Sequence, residues 1–484
     1  MNNIWIGLLL GLVSMVTSYV VFPLALRFAI DHHIVDNPDA RKLQRVPVPV
    51  FGGVVVFTGI LVGCIPLMMM YPNRMLILAV VGMAIMMLIG TWDDIAGLSV
   101  KIRFYTEILL VVGIILLTDT YIDDFHGLWG IHNISPWIGV PLSVFAGVGV
   151  MNAINLIDGV DGYSSGYGVM ACTFFAIAFW VVWNPVVVYV MLIVIGALIP
   201  FFMHNVFGQK SRMFIGDGGT LMLGMLMVTV LFRAMSSHGK LDAMETVNFS
   251  VPAFVLAVLC IPVFDTIRVM TMRMLRGCSP FHPDKTHLHH LFIDMGFSHL
   301  GAALSILLIN AVVVMLWFVS WRCGASIDGQ FYLVVFLGFL VTFGFYKFMR
   351  VQQTAYPQPL PEGRGEGSPS PASSLKGRGE QAKPLTEGKD EQNDGGLDPQ
   401  SAAETIGGQR LPSLQGRAGV RPLIPDSIRD LSPETAAGDV MPEGSAIWQM
   451  MGRLGRWSHK EDKRFWRVMR VMMDRPWYRF RKRV

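Results

Sequence analysis

The sequence has few charged side chains for its length. Of its 484 residues, 15% are Asp, Glu, Lys or Arg, whereas an ordinary soluble domain carries roughly 25%. Hydrophobic residues make up 52% of the chain. This balance excludes a soluble enzyme, a secreted disulfide-linked domain and a nucleic-acid-binding domain.

The sequence also lacks paired cysteines and a basic N-terminal stretch. Its five cysteines are scattered, four of them within apolar runs, and no two are separated by two residues. This spacing indicates neither a disulfide framework nor a zinc ribbon. Because no basic residues precede the first apolar run, we expect that run to be a retained membrane anchor rather than a cleaved signal peptide.

Apolar stretches long enough to suggest membrane crossings recur through residues 1–350, which contain 18 Lys or Arg and 18 Asp or Glu. They predict an all-α polytopic membrane domain with about 11 transmembrane helices and active-site loops on the cytoplasmic side. The stretches are Ile4–Phe28, Val50–Tyr71, Met75–Trp92, Phe104–Leu117, Trp137–Met151, Tyr163–Val182, Val186–Met203, Gly219–Phe232, Phe249–Ile267, Gly301–Trp321 and Phe331–Phe348.

Basic residues are distributed unequally between alternate loops. One set of loops contains twelve Lys or Arg residues, whereas the other contains only Arg74, Arg233, Lys240 and Arg322. Loops rich in Lys and Arg face the cytoplasm. We therefore expect the N-terminus outside and the C-terminal tail inside the cell.

The tail divides into two parts of different composition. Residues 351–445 are rich in Pro, Gly, Ser and Glu, which predicts a disordered linker. Residues 446–484 are rich in aromatic side chains, with a net charge of +9 from Arg453 onward. This basic, aromatic and amphipathic segment suits an anionic membrane surface; the alternative is a docking helix for a partner protein.

Four clusters of chemically active side chains fall in the basic set of loops. Carboxylate and amide oxygens at short spacing suit a hard cation, and Mg²⁺ commonly combines one or two carboxylates with substrate phosphates. The alternative is that each Asp merely caps a helix N-terminus. The clusters contain Asp93 and Asp94; Asn155, Asp158 and Asp161; Asp217 between glycines; and His282, His287, His289 and His290.

The histidine-rich loop admits three interpretations. Together with Cys278 its imidazoles could bind zinc, although their spacing matches no structural zinc pattern. They could instead bind or neutralise a phosphate, which we favour, or stabilise the loop. Asp265 and Arg268, three residues apart at the end of an apolar run, predict an internal ion pair.

At these motifs the chain resembles the polyprenyl-phosphate N-acetylhexosamine-1-phosphate transferases, which include undecaprenyl-phosphate GlcNAc-1-phosphate transferase and phospho-MurNAc-pentapeptide transferase. Order, spacing and topology agree over residues 1–350, and residues 351–484 have no counterpart. The matching pieces are Arg41 to Gly53, Asp93-Asp94 with Ser99 to Arg103, Asn152 to Gly162, Gly216 to Thr220, and Ser279-Pro280 through His290.

The resemblance implies a reaction at the cytoplasmic face of a bacterial inner membrane. A sugar 1-phosphate, by this resemblance GlcNAc-1-phosphate, passes from a UDP-N-acetylhexosamine to a polyprenyl (undecaprenyl) phosphate, and UMP is released. The product is the first lipid-linked intermediate of a cell-envelope glycan such as lipopolysaccharide O-antigen. The implied cofactor is Mg²⁺, with Mn²⁺ as a substitute, and a homodimer is left open.

The resemblance also implies roles for individual residues. Asn155 and Asp217 would hold the metal, and Asp93 and Asp94 would orient or deprotonate the lipid phosphate. The implied substrate-binding residues are Asp158 and Asp161 on the nucleotide side, His287, His289 and His290 on phosphate or sugar, and Arg41, Lys42 and Arg45 as anion binders.

The chain departs from the family pattern at two positions. Gly97 stands where some relatives carry another acid, so the sugar is less clearly indicated, and Thr220 replaces the usual Ser.

Two rival functions are left open. An intramembrane aspartyl protease is suggested by Ile215-Gly216-Asp217, but Phe214 occupies the position of the first glycine in the protease motif. A membrane transporter would suit the many segments, but its ionisable residues would line a midplane path.

Overall fold

The chain folds into helices joined by short loops. The computed structural model describes residues 4–36, 47–208, 211–280 and 286–355. The helices in those residues are α1 Ile4–Asp31, α2 Gly52–Met70, α3 Arg74–Ala96, α4 Val100–Thr118, α5 Pro136–Leu156, α6 Tyr163–Val181, α7 Pro185–Phe207, α8 Gly216–Ala234, α9 Val251–Val258, α10 Cys260–Leu275, α11 Leu288–Asp294, α12 His299–Arg322, α13 Ile327–Phe339 and α14 Phe345–Ala355.

Each of the eleven predicted apolar stretches coincides with one of these helices or with two consecutive ones, which confirms the all-α membrane fold. In the part of the chain that the structure describes, nine helices are long and apolar enough to cross a membrane, or ten if one bent pair counts as a span. The helix α4 is not among the nine because Lys101, Arg103 and Glu107 lie on it. The predicted linker 351–445 lies outside the described residues from position 356 onward, and so does the basic segment 446–484.

The helix α8 forms the centre of the bundle. It is the most buried of the nine spans, because 89% of the residues in its most apolar 18-residue stretch are buried inside the protein. Its first turn is aligned by the segment that precedes α2. Val50 forms a parallel bridge with Phe214, and the N–H groups of Gly52 and Gly53 donate to the carbonyls of Phe214 and Ile215 at 2.9 and 2.8 Å. These bonds fix the position at which α8 begins.

The segment that precedes α2 is itself held by a short sheet. The strands β1 (Val35–Asp36) and β2 (Val48–Pro49) pair antiparallel. The N–H of Phe214 donates to the carbonyl of Pro49 at 2.8 Å. This small sheet therefore connects the end of α1 to the start of α8.

The helices α3 and α8 approach each other closely because small residues lie at their contact. A Cβ atom on Gly90 would lie 2.4 Å from the backbone nitrogen of Gly218 and 2.5 Å from the carbonyl oxygen of Asp217. Small residues at such positions let helix backbones pack in van der Waals contact within membranes. The approach brings the last turn of α3 against the first turn of α8.

The ninth predicted stretch is broken into α9 and α10 at Leu259. Pro262 has no N–H to donate to the carbonyl four residues earlier, so the carbonyl of Val258 loses its helical partner. The buried side chain of Asn310 on α12 replaces the missing bonds. Its amide nitrogen donates to the carbonyls of Ala257 and Val258 at 3.3 and 3.2 Å, and its oxygen accepts from the N–H of Ile261 at 3.0 Å. Such repair is what permits a break inside a membrane.

We expect replacement of Gly90 by alanine to destabilise the protein, because the new methyl group must displace backbone atoms of α8. Such overpacking typically lowers the free energy of unfolding by about 1–3 kcal/mol. The matched control is Gly113→Ala on α4, where an added Cβ meets nothing within 4 Å and relief of glycine's entropy should stabilise the helix by about 0.5–1 kcal/mol. Thermal unfolding in detergent measures both changes, and equal effects of the two substitutions would contradict the close α3–α8 contact.

Candidate active site

The predicted site residues of all four clusters meet at one cavity of about 690 Å³, here called the acidic cavity. It lies where α3 and α5 end and where α8 and α11 begin. His282 of the fourth cluster lies outside the described residues, as do Arg41, Lys42 and Arg45. The predicted residues that line the cavity are Asp93, Asp94, Asn155, Asp158, Asp161, Asp217, His287, His289 and His290.

Asp94 caps the N-terminus of α8 from a neighbouring helix. The residue before α8, Ile215, offers no side-chain cap. The Asp94 carboxylate instead accepts hydrogen bonds from the N–H groups of Asp217 and Gly218 at 3.2 and 3.4 Å. An anion is favoured there by the unpaired N–H groups and by the helix dipole. Asp94 therefore does cap a helix N-terminus, but that helix is a neighbouring one and the carboxylate also lines the acidic cavity.

Gly216 makes this capping arrangement possible. Its φ is +71°, and a Cβ atom there would lie 2.4 Å from an oxygen of Asp94. Both features require glycine, because an L side chain would be strained and would also collide with the carboxylate. The glycine next to Asp217 in the sequence motif is therefore explained by the approach of Asp94.

Arg103 lies between two of the acids. Its Nη1 atom is 3.4 Å from Asp93 and 3.3 Å from Asp217, and its Nε is 3.8 Å from the buried Glu107 one turn along α4. A partly buried guanidinium that faces two carboxylates offsets their mutual repulsion. Asp93 also accepts a hydrogen bond from the N–H of Leu98 at 2.7 Å, which fixes its carboxylate at the end of α3.

Asn155 connects the end of α5 to the first turn of α8. Its amide nitrogen donates to the Asp217 carboxylate at 3.0 Å and to the hydroxyl of Thr220 at 2.9 Å. The threonine keeps the hydroxyl of the serine that it replaces. The predicted pair Asn155 and Asp217 is therefore in direct contact.

Asp158 and Asp161 lie in the loop between α5 and α6. The hydroxyl of Ser164 donates to Asp158, which faces the acidic cavity. Asp161 pairs with Arg212 and lies 3.0 Å from the Nδ1 atom of His299. Asp161 is thus surrounded by two groups that can carry positive charge, whereas Asp158 is held by a neutral donor.

Asp265 and Arg268 form the predicted internal ion pair and also hold the histidine loop. Arg268 donates from Nε and Nη2 to one Asp265 oxygen at 3.2 and 2.7 Å. The other oxygen lies 3.0 Å from the Nδ1 atom of His287 and accepts from the N–H of Leu288 at 3.3 Å. A carboxylate on one ring nitrogen fixes the tautomer and orientation of an imidazole, so Asp265 positions His287 at the acidic cavity.

His289 is a buried residue of the cavity wall and packs against Gly159. A Cβ atom on Gly159 would lie 1.9 Å from the Nε2 atom of His289, so only glycine leaves space for this imidazole. Burial lowers the pKa of His289 well below its usual value, and the neighbouring His290 and His287 lower it further. His289 is therefore neutral around pH 7.

Sequence reasoning missed several residues of the site. The sequence marked Arg103 only as the end of the matching segment Ser99 to Arg103, although its position four residues before Glu107, an acid within an apolar run, was a usable signal for a role in the site. Asp265 was interpreted only as an ion-pair partner. The contacts of Arg212 and His299 with Asp161 join segments distant in sequence, and no local pattern marks them. The described residues contain no three His, Cys, Asp or Glu side chains grouped to hold a metal by themselves, so the zinc interpretation gains no support.

Comparisons with known proteins identify relatives of the chain. A family model described as glycosyl transferase family 4 matches residues 76–235. A Bacillus subtilis protein, described as a probable undecaprenyl-phosphate N-acetylglucosaminyl 1-phosphate transferase, is 30% identical over 302 residues, which is 62% of this chain and 81% of the relative. An undecaprenyl-phosphate α-N-acetylglucosaminyl 1-phosphate transferase from Yersinia pestis is 27% identical over 62% of this chain and 80% of its own length.

We expect the lowered pKa of His289 to make the protein acid-sensitive. Below the usual histidine pKa of about 6.5 the unfolded chain binds a proton that the folded protein does not, so stability falls as pH falls, by at most about 1.4 kcal/mol per pH unit for this group. Between pH 7.5 and pH 5, the unfolding temperature of the His289→Gln variant should therefore fall less than that of the unsubstituted protein. The prediction fails if the unfolding temperature of His289→Gln falls as far over this pH range as that of the unsubstituted protein.

Proposed function

Since this chain belongs to glycosyl transferase family 4, with the undecaprenyl-phosphate N-acetylglucosaminyl 1-phosphate transferases as relatives, we propose that it transfers GlcNAc-1-phosphate from UDP-GlcNAc to undecaprenyl phosphate. An oxygen of the lipid phosphate attacks the phosphorus that carries the sugar. The bond from that phosphorus to the bridging oxygen breaks, and UMP leaves with the electron pair. The product starts a lipid-linked glycan of the cell envelope.

The observation that carries this proposal is the convergence of Asp93, Asp94, Asn155 and Asp217 around Arg103 at one end of the bundle. Phosphoryl transfer requires little covalent chemistry from the protein and depends on positioning and charge stabilisation. The cavity offers both, since it gathers oxygen ligands beside a cation and lies where a lipid headgroup and a soluble nucleotide can meet. Its volume of about 690 Å³ lies within the range of small-molecule sites, about 300–1,000 Å³.

The donor set at Asn155 and Asp217 fits a Mg²⁺ ion, for which Mn²⁺ can substitute. Both are oxygen-bearing side chains, they are in contact, and Asp93 and Asp94 add negative charge that Arg103 alone does not balance. Two protein ligands are what Mg²⁺ commonly takes when substrate phosphates and water complete its shell. A divalent cation held there supplies charge neutralisation for the pyrophosphate while the phosphoryl group is transferred.

Asp93 and Asp94 are assigned to the lipid phosphate. Asp94 is fixed by the two backbone N–H groups of α8 that donate to it, and Asp93 by the N–H of Leu98. Both carboxylates are thereby held at the C-terminal end of α3. From there they orient the attacking phosphate and can remove its remaining proton. General-base groups need such hydrogen-bond reach to the proton that they take.

The remaining residues are assigned to the donor substrate. Asp158 and Asp161 lie on the nucleotide side, and the histidine cluster of His287, His289 and His290 lies on the side of the phosphate or sugar. Arg41, Lys42 and Arg45, outside the described residues, remain proposed anion binders. Membership of a transferase family argues against the transporter and protease alternatives, and the clustering of the acids at helix ends agrees with that preference.

We expect Asp217→Asn to reduce UMP release by at least about 100-fold, because removal of a group that stabilises transition-state charge costs that order of rate. The assay contains detergent-solubilised protein, UDP-GlcNAc, undecaprenyl phosphate and MgCl₂. Asp119→Asn is the matched control, since Asp119 is an exposed residue at the opposite end of the bundle in a left-handed conformation that asparagine tolerates. Near-normal release by Asp217→Asn, or full activity in EDTA, would contradict the metal assignment.

The chain is a multi-pass membrane protein, and we propose that the acidic cavity opens to the cytoplasm, where nucleotide sugars are made. After Ser replacement of the exposed Cys278 and Cys323, a membrane-impermeant maleimide added to intact cells should label a cysteine at Asp123 and spare one at Thr286. Permeabilised cells provide the control, in which both positions should react. The opposite labelling pattern would overturn this orientation.

A further inference from the structure

A second cavity lies at the other end of the α3–α8 pair. It has a volume of about 520 Å³ and is bounded by the start of α3, the end of α4, the start of α7 and the end of α8; we call it the distal cavity. Arg74 at its wall is 19 residues before Asp93 on the same helix, which corresponds to about 28 Å at 1.5 Å per residue. The distal cavity is therefore separate from the acidic cavity and lies near the opposite membrane face.

Positive charge is concentrated at this cavity. Of the four basic residues in the poorly basic set of loops, Arg74 and Arg233 both line it. A third, Lys240, donates from Nζ to the carbonyl of Trp183 at 3.3 Å, directly before the cavity residue Asn184. Among the described residues, neither Arg74 nor Arg233 forms an ion pair within 4.0 Å. Asp119 lines the same cavity, so the two arginines leave its lining with one net positive charge. Asp242, outside the lining, also interacts electrostatically with Arg233.

A buried amide in the wall lacks a hydrogen-bond partner. Asn184 is 7% exposed, precedes α7 without capping it through its side chain, and its Nδ2 atom has no partner. A buried donor without an acceptor destabilises the protein, and an acceptor that reaches it is therefore bound favourably. Together with the half-buried guanidinium of Arg233, this amide provides donors for an acceptor that enters the cavity.

The rest of the wall is largely apolar, although Asn73, Thr118, Thr120 and Thr229 also line it. Helices α3, α4, α7 and α8 contribute the apolar side chains, and several of these are buried. They include Leu76, Met83, Met191, Leu226 and Val230. A ligand that satisfies both parts of the wall must carry an anionic head and an apolar chain. A lipid of the adjacent leaflet meets both requirements, because guanidinium groups bind phosphate through paired N–H donors.

We propose that the distal cavity binds the phosphate headgroup of an anionic lipid from the leaflet opposite to the acidic cavity. The two guanidinium groups and the amide of Asn184 contact the phosphate, and the first segment of the lipid chain lies along the apolar wall. This site goes beyond the proposed transferase function. Its test measures binding, so it does not depend on activity.

The test compares lipid-dependent thermal stabilisation of purified full-length protein in detergent. The ligands are phosphatidylglycerol, undecaprenyl phosphate, the zwitterionic phosphatidylcholine and inorganic phosphate. The variants are Arg74→Gln/Arg233→Gln, the single Arg74→Gln, and the matched control Arg322→Gln, which removes a basic residue of the same loop set away from both cavities. Native mass spectrometry counts retained lipids in each sample.

We expect an anionic lipid to raise the unfolding temperature of the unsubstituted protein and of Arg322→Gln at the same concentration. Loss of two charge-assisted contacts should raise the half-maximal lipid concentration at least about tenfold in the double variant. Substitution of these arginines does not affect undecaprenyl phosphate bound in the acidic cavity. Only the stabilisation that is lost in the double variant therefore reports on the distal cavity. The lipid that shows this loss, phosphatidylglycerol or undecaprenyl phosphate, is the one that the distal cavity binds.

Three results would overturn the proposal. They are an unchanged lipid requirement in the double variant, equal stabilisation by phosphatidylcholine, and equal stabilisation by inorganic phosphate without a lipid chain. If the double variant does not fold, the exposed Arg74 alone decides the matter. Arg74→Gln should then raise the half-maximal concentration severalfold, and an unchanged value would exclude the site.

Discussion

The contact between the last turn of α3 and the first turn of α8 is the constraint on which the acidic cavity depends. Gly90 and Gly218 bring the two backbones together, and Gly216 leaves space for the carboxylate of Asp94 at the end of the contact. If the helices were separated by even one side chain, Asp94 would not reach the N–H groups of α8. The short bridge between Val50 and Phe214 holds the same turn from the other side.

Negative charge is the second constraint. Several carboxylates gather where the proposed reaction would also bring a lipid phosphate and a pyrophosphate, and such crowding is unfavourable at a membrane face without compensation. The protein supplies compensation in separate ways: Arg103 between Asp93 and Asp217, helix N–H groups at Asp94, and Arg212 at Asp161. Each acid therefore has a distinct electrostatic environment, which agrees with the distinct roles proposed for them.

Much of this arrangement could be predicted from the sequence. Long apolar stretches located the helices. Short polar motifs at helix ends indicated that Asp93, Asn155 and Asp217 would lie at one membrane face, because alternate loops of a multi-pass protein lie on the same side. The contacts of Arg103 and Asp265 could not be predicted, since they depend on the directions in which α4 and α10 project side chains. The distal cavity could not be predicted either, because Arg74 and Arg233 are 159 positions apart and neither lies in a recognisable motif.

The cap that Asp94 provides to α8 has a consequence for how substitutions in this site combine. Asp94 stabilises the turn that carries Asp217, so loss of the Asp94 carboxylate also displaces a group assigned to the metal. A second substitution at Asp217 then removes a residue that is already misplaced, and the two losses do not add. In kinetic data the two residues therefore behave as one unit. The rate lost on substitution of either residue cannot be divided into a part from Asp94 as a base and a part from Asp217 as a metal ligand.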